Sequence, residues 1–197
     1  MAKLTLDDIS DLRAYERERA DFRRQVIALK KRRRVGLGDV VTLVFENRST
    51  VRFQIQEMAR AEKLITDDAI ETELRVYNPL IPEPGQLCAT LFVELTSPEA
   101  LRRWLPRLVG IERSVALRLA DGDLVPAVVD EGHAQQLTRE EMTASVHYVR
   151  WELNPDQVAA FLAGPVTLLS THARYPAETP LSDATHAELV ADLQQGG

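Results

Sequence analysis

The stretch from Phe45 to Glu94 limits what this chain can fold into more than any other. Its segments 45–64, 70–82 and 89–95 contain good core-forming residues, interrupted by Gln, Glu, Arg and Asn at positions that should face inward. Polar groups cost free energy to bury unless each is paired. A fold that uses this stretch must therefore build a polar network or a site within it.

The rest of the chain reads as helices and antiparallel strands. Thr5 and Asp7 open a helix that runs through Lys30–Arg34 and stops at Gly36. Acids at its start and bases at its end suit the helix dipole. It would be roughly 28 residues and about 42 Å long, with an apolar stripe of Leu12, Tyr15, Phe22, Val26 and Leu29. Asp39–Phe45 is a strand rich in β-branched residues. Val51–Gln56 fits either a hairpin strand or a helix. The helix formers that follow favour a helix, with Val51, Ile55, Met58 and Ile65 on one face. Thr66 caps a second helix that ends at Asn78-Pro79.

Leu87–Leu95 alternates as a strand, with Leu87, Ala89, Leu91 and Val93 on one face and Cys88, Thr90, Phe92 and Glu94 on the other. A helix follows from Ser97-Pro98 to Gly110. Ser114–Leu119 and Leu124–Val129 form a hairpin turning at Asp121-Gly122. Asp130–Met142 reads as a loop and Ser145–Leu153 as a strand. Asn154-Pro155 opens a short helix, and Pro165–Ser170 is a last strand. The expected architecture is α+β: a mostly antiparallel sheet, a long N-terminal helix across it, and two helices between the first two strands. One domain spans residues 1–175, and residues 176–197 form a weakly structured tail with at most one weak helix from Ser182.

The net charge of −6 argues against a general nucleic-acid binder. It is unevenly spread: residues 1–34 carry eleven basic and six acidic residues, a net of +5, which leaves −11 for the remainder. A basic arm on an acidic body docks its own body, a twin subunit or another acidic partner. The length and narrow stripe of the first helix point to a homodimer. The N-terminus has no apolar signal region, and no apolar run approaches a membrane span. The single cysteine, Cys88, forbids an intrachain disulfide and suits the cytoplasm.

Arg19 and Glu62 each place a charge on an apolar stripe. They read as a partly buried pair that orients a site, or as charges at a helix edge. Glu57, Glu62, Glu94 and His147 supply the donor types of a carboxylate–histidine metal site, though no two have compact ligand spacing. Cys88 reads as a small buried hydrophobe on a strand. Gly36-Leu37-Gly38 lacks the remaining glycine and following helix of a dinucleotide fingerprint, and no cofactor is expected. The basic run Lys30, Lys31, Arg32, Arg33 and Arg34 could touch phosphates, but such runs are more often solvated helix ends.

Several unusual strings occur in a characteristic order: Leu4–Ile9, Phe45-Glu46-Asn47, Gln54–Met58, Tyr77–Pro82, Ala89-Thr90-Leu91 and Val146-His147-Tyr148. Across most of residues 3 to 153 they resemble a bacterial family, domain of unknown function 3501. The resemblance implies a setting beside rubrerythrin-like proteins and iron–sulfur oxidoreductases. Iron–sulfur clusters need several thiolates, so one cysteine makes the chain an accessory in such a setting and not the electron carrier. The leading expectation is a non-enzymatic accessory or binding protein of a bacterial redox or oxidative-stress system. A metal-binding protein or enzyme built on the Glu/His set is the alternative, and nucleic-acid binding through the basic run is the third.

Overall fold

The computed structural model describes residues 1–129 and 142–194. Its helices are α1 (Leu12–Arg32), α2 (Arg48–Glu62), α3 (Asp67–Tyr77), α4 (Pro98–Trp104), α5 (Pro155–Ala163) and α6 (Asp183–Gln194). Its strands are β1 (Arg34–Leu37), β2 (Val41–Glu46), β3 (Gln86–Val93), β4 (Val115–Arg118), β5 (Leu124–Pro126), β6 (Val146–Glu152), β7 (Thr167–Ser170) and β8 (Ala177–Pro180). They form two antiparallel sheets, ordered β1-β2-β3-β6 and β5-β4-β7-β8. The α+β expectation therefore holds, and α2 and α3 do lie between two neighbouring strands, β2 and β3. No helix among the described residues is long and apolar enough to cross a membrane.

Alternation along the strands decides which side of the first sheet is the core. Leu43, Phe45, Leu87, Ala89, Leu91, Val149 and Trp151 point to one face and join Val115, Leu117 and Leu168 of the second sheet in the main core. Directly paired residues share a face. The opposite face is therefore laid out in cross-strand rows: Thr42–Phe92–Val146, Val44–Thr90–Tyr148 and Glu46–Cys88–Arg150. This second face is also covered, which is why β2 is buried along its whole length.

The cover is a helical layer with a small core of its own, formed by Leu4, Val51, Ile55, Leu74 and Ile81. Polar groups in this layer are matched one by one. Asn78 accepts from the Leu4 amide and donates to the Leu4 carbonyl, both at 2.9 Å. The fully buried Gln56 accepts from Ser10 N at 2.7 Å and donates to Ser10 O at 3.2 Å. These contacts join the N-terminal segment to α2 and to the turn after α3, so the polar interruptions of residues 45–94 are largely its fasteners.

The first helix is shorter than expected. Thr5 opens only a single 3-10 turn, Leu6–Asp8. The grip of Gln56 on Ser10 then holds the chain extended, and Asp11 caps α1 by accepting from Ala14 N at 2.8 Å. At its other end α1 stops before Gly36, because Val35 and Leu37 are drawn into the main core as strand β1. Nor does α1 lie across a sheet. It packs along α2 and, near its end, against α6, with Tyr15 and Val26 buried and Phe22 edge-on to Phe53 at 5.8 Å. Tyr15, Phe22 and Val26 of the expected stripe thus have partners within the chain.

The C-terminal segment also differs from expectation. Residues 177–180 form β8, and α6 follows with Leu189 and Leu193 in the main core. Just before β8, the Tyr175 hydroxyl donates to Leu37 O (2.7 Å) and accepts from Val40 N (2.9 Å), closing the β1–β2 turn. Gly38 turns there with φ +65°, and a Cβ on it would meet the Tyr175 hydroxyl at 2.6 Å. The helix expected to reach Gly110 ends at Trp104. The expected loop from Asp130 lies, apart from Met142, outside the described residues.

Arg33 is fully buried. Its guanidinium donates to Phe45 O (2.8 Å), to Glu46 O (3.1 Å) and to the Asp192 carboxylate on α6. Removing one partner of a buried ion pair leaves an uncompensated charge, at about 3–5 kcal/mol. Arg33→Ala is therefore expected to lose stability on that order in urea denaturation. Arg33→Met with Asp192→Leu should recover most of the loss, because matched apolar replacements of such pairs are often neutral. A single variant as stable as the wild type would contradict this account of the pair.

Candidate functional site

A cavity of about 280 Å³ lies between the covered face of the first sheet and the helical layer. Its floor is the sheet surface at Glu46, Thr90, Phe92, Val146 and Tyr148. Its walls are Lys30 from the last turn of α1, Val51 and Gln54 from α2, Tyr77 at the end of α3, and Leu80 just beyond. Glu46 is only 7% exposed. The Thr90 hydroxyl donates to its Oε1 at 2.7 Å, which fixes the carboxylate on the floor. Burial pushes the Tyr148 phenol above its ordinary pKa, helped by neighbouring Tyr77 and the Glu46 charge. Lys30 is half-buried and lines the same cavity, but forms no ion pair with Glu46 among the described contacts.

Chemically the cavity holds one buried carboxylate, one ammonium, two phenols and a side-chain amide against apolar patches. A second cavity of about 300 Å³ sits between the N-terminal segment and the α2–α3 turn. It is lined by residues such as Leu6, Ile9, Leu64 and Ile65, and none of its lining carboxylates is buried. The Glu46 cavity is the stronger candidate because it holds a buried charge whose position is fixed.

The site residues expected from the sequence are scattered. Arg19 does form a half-buried pair, but with Glu57: Nε to Oε1 at 2.7 Å and Nη2 to Oε2 at 2.8 Å. The buried Tyr15 hydroxyl donates to the same Oε1 at 2.7 Å. Glu62 is exposed in the last turn of α2, so of the two readings it fits the charge at a helix edge, while Arg19 pairs with another polar group and not with Glu62. Ile65, expected on the apolar face of α2, is 82% exposed because Lys63 has already ended the helix in a left-handed conformation.

Glu94 sits at the sheet margin, bonded to Arg34 and accepting from Thr42 Oγ1 at 2.7 Å. His147 is on the opposite, inward face. Its Nε2–H donates to Ala144 O at 3.0 Å, with the Thr143 hydroxyl 2.8 Å from the same nitrogen. Burial holds its pKa down, opposed by nearby Glu112. The four candidate metal ligands are therefore not brought together. Among the described residues no three His, Cys, Asp or Glu side chains converge as a metal site.

The basic run is also largely engaged within the chain. Arg32 pairs with Glu188 at 2.6 Å, Arg33 with Asp192, and Arg34 with Glu94. Lys31 is exposed, and Lys30 lines the cavity. Cys88 is buried, and burial pushes its thiol up to about 12.

Glu46, Gln54, Tyr77, Thr90 and Tyr148 were missing from the candidate set. Glu46 escaped because the strand was expected to end at Phe45, one residue short of it. One more strand residue would have set it on the face of Thr90 and raised the question of what a carboxylate does there.

The Arg19–Glu57 pair yields a pH prediction. The Arg19 guanidinium, and next the Tyr15 hydroxyl, hold the Glu57 carboxyl below its ordinary value of 4.5 against the opposing effect of burial. Its contribution to stability is present above 4.5 and is lost as pH falls through the lower folded-state pKa. Glu57→Gln should cost about 1–2 kcal/mol at neutral pH. Its deficit relative to wild type should shrink in thermal melts below pH 4.5. A deficit that stays constant into acid would assign the loss to packing.

Comparison with known proteins places these features in a family. The family model described as protein of unknown function, DUF3501, matches residues 3–193, extending well past the strings that end at Tyr148. The chain is also similar to a crystal structure of a novel protein of unknown function from Burkholderia pseudomallei K96243. The two are 39% identical, with 98% of this chain and 100% of that one covered and a TM-score of 0.89. No curated protein matches it. The chain belongs to the DUF3501 family of proteins of unknown function.

Proposed function

We propose that the protein is a non-enzymatic binding protein, accessory to a bacterial redox or oxidative-stress system, with its ligand held in the cavity over the first sheet. The observation that carries the binding part is the fixed carboxylate of Glu46 on the floor of a cavity between the sheet and the helical layer. Binding sites are typically concave, mostly apolar, and furnished with a few polar groups that set orientation. Thr90, Gln54 and the two tyrosines supply such groups around Glu46.

The redox setting rests on the resemblance in sequence to a family that neighbours rubrerythrin-like proteins and iron–sulfur oxidoreductases. Cys88 supports an accessory role within it. The thiolate is the reactive form of cysteine, and burial pushes this thiol up to about 12.

The test is genetic complementation. Deleting the gene should sensitise the host to hydrogen peroxide. Cys88→Ser should restore resistance, and Glu46→Gln should not, although the variant accumulates normally. Unchanged peroxide resistance on deletion would contradict the redox setting. Failure of Cys88→Ser with normal accumulation would assign chemistry to the thiol. Full rescue by Glu46→Gln would remove the cavity from the function.

A further inference from the structure

We infer that the cavity over the first sheet takes a small zwitterion of the α-amino-acid class. This rests on the binding reading above and names its ligand class. Glu46 and Lys30 bring opposite charges to one cavity, from the floor and from the wall, without pairing with each other. When a ligand displaces water, each charge needs its own partner, since a desolvated charge without one is costly. A ligand with a single charge satisfies one residue and leaves the other exposed to an apolar body. A ligand with an ammonium and a carboxylate satisfies both.

The orientation follows from the same groups. The ammonium lies toward Glu46, whose Oε1 is already held by Thr90. There it also neighbours Tyr77 and Tyr148 on the cavity lining. The carboxylate lies toward Lys30 and the Gln54 amide. The ligand side chain meets the apolar surface at Phe92 and Val146. At about 280 Å³ the cavity is at the small end of ligand sites and has room for one amino acid.

Isothermal titration calorimetry on the full chain tests this with the twenty amino acids as probes. For each one that binds, the matched amine lacking the carboxylate and the matched acid lacking the amine are also titrated. At least one amino acid should bind, and both of its single-charge analogues should bind about tenfold or more weakly. Glu46→Gln and Lys30→Met should each cost a similar factor. Lys30 is half-buried at a helix end, so Lys30→Met remains an informative variant if Glu46→Gln unfolds. If an analogue binds as tightly as its amino acid and Glu46→Gln weakens it, the zwitterion class is wrong and the binding reading stands. Lys30→Met without effect on amino-acid affinity would likewise remove the carboxylate half of the assignment. If no amino acid, amine or acid binds at millimolar concentration, the zwitterion class is wrong, and the binding reading is decided separately by whether Glu46→Gln fails to complement.

Discussion

Arg33 is the interaction on which the rest of the structure depends. Its side chain has no solvent exposure, and its donors go to the last two carbonyls of β2 and to a carboxylate near the C-terminus. Its own carbonyl accepts from Phe45 N at 3.0 Å, extending the β1–β2 ladder by one residue. A single residue thus joins the end of α1, the end of β2 and the face of α6. A buried guanidinium is tolerated only when its charge and hydrogen bonds are matched, so the three elements must arrive together. Glu46 lies directly at this junction, because the carbonyl that Arg33 holds is its own. The position of the cavity carboxylate is therefore fixed from behind by Arg33 and from the front by Thr90.

The same demand explains the architecture of the helical layer. Gln56, Glu57 and Asn78 would be liabilities in an apolar core. Each instead faces a partner on the N-terminal segment or α1. The layer is held together by a small apolar core of its own and by these polar pairs. The cavity remains where neither kind of contact closes the gap. The strings around Leu4 and Asn78 touch directly, and Gln56 holds Ser10 just past the first of them.

Much of the fold was legible because it rests on local periodicity. The alternation of Leu87–Val93 identified both faces of β3, and Asp121-Gly122 marked a turn that forms, with φ +91° at Gly122. Several of the failures come from distance along the chain. The basic run looked like a solvated helix end because Asp192 and Glu188 are more than 150 residues away in sequence. α1 started late because Gln56, 46 residues on, holds Ser10. The tail was expected to be weakly structured, as chain ends often are, yet Leu189 and Leu193 find the main core. Of the candidate site residues, Arg19 and Glu57 meet, while Glu62, Glu94 and His147 lie apart. Helix-face arithmetic shows that a charge lies inward but not which partner a crossing helix will present.

The central claim is that Arg33 couples α6 to the end of β2, and so to the floor of the cavity. Native-state amide hydrogen exchange measures that coupling residue by residue. The amides of Phe45, Leu189 and Leu193 are expected to open with one common free energy, and Asp192→Asn should lower all three together. Exchange in which α6 opens independently at low free energy, while Phe45 keeps its protection in Asp192→Asn, would contradict the coupling and leave Arg33 as a local fastener of β2.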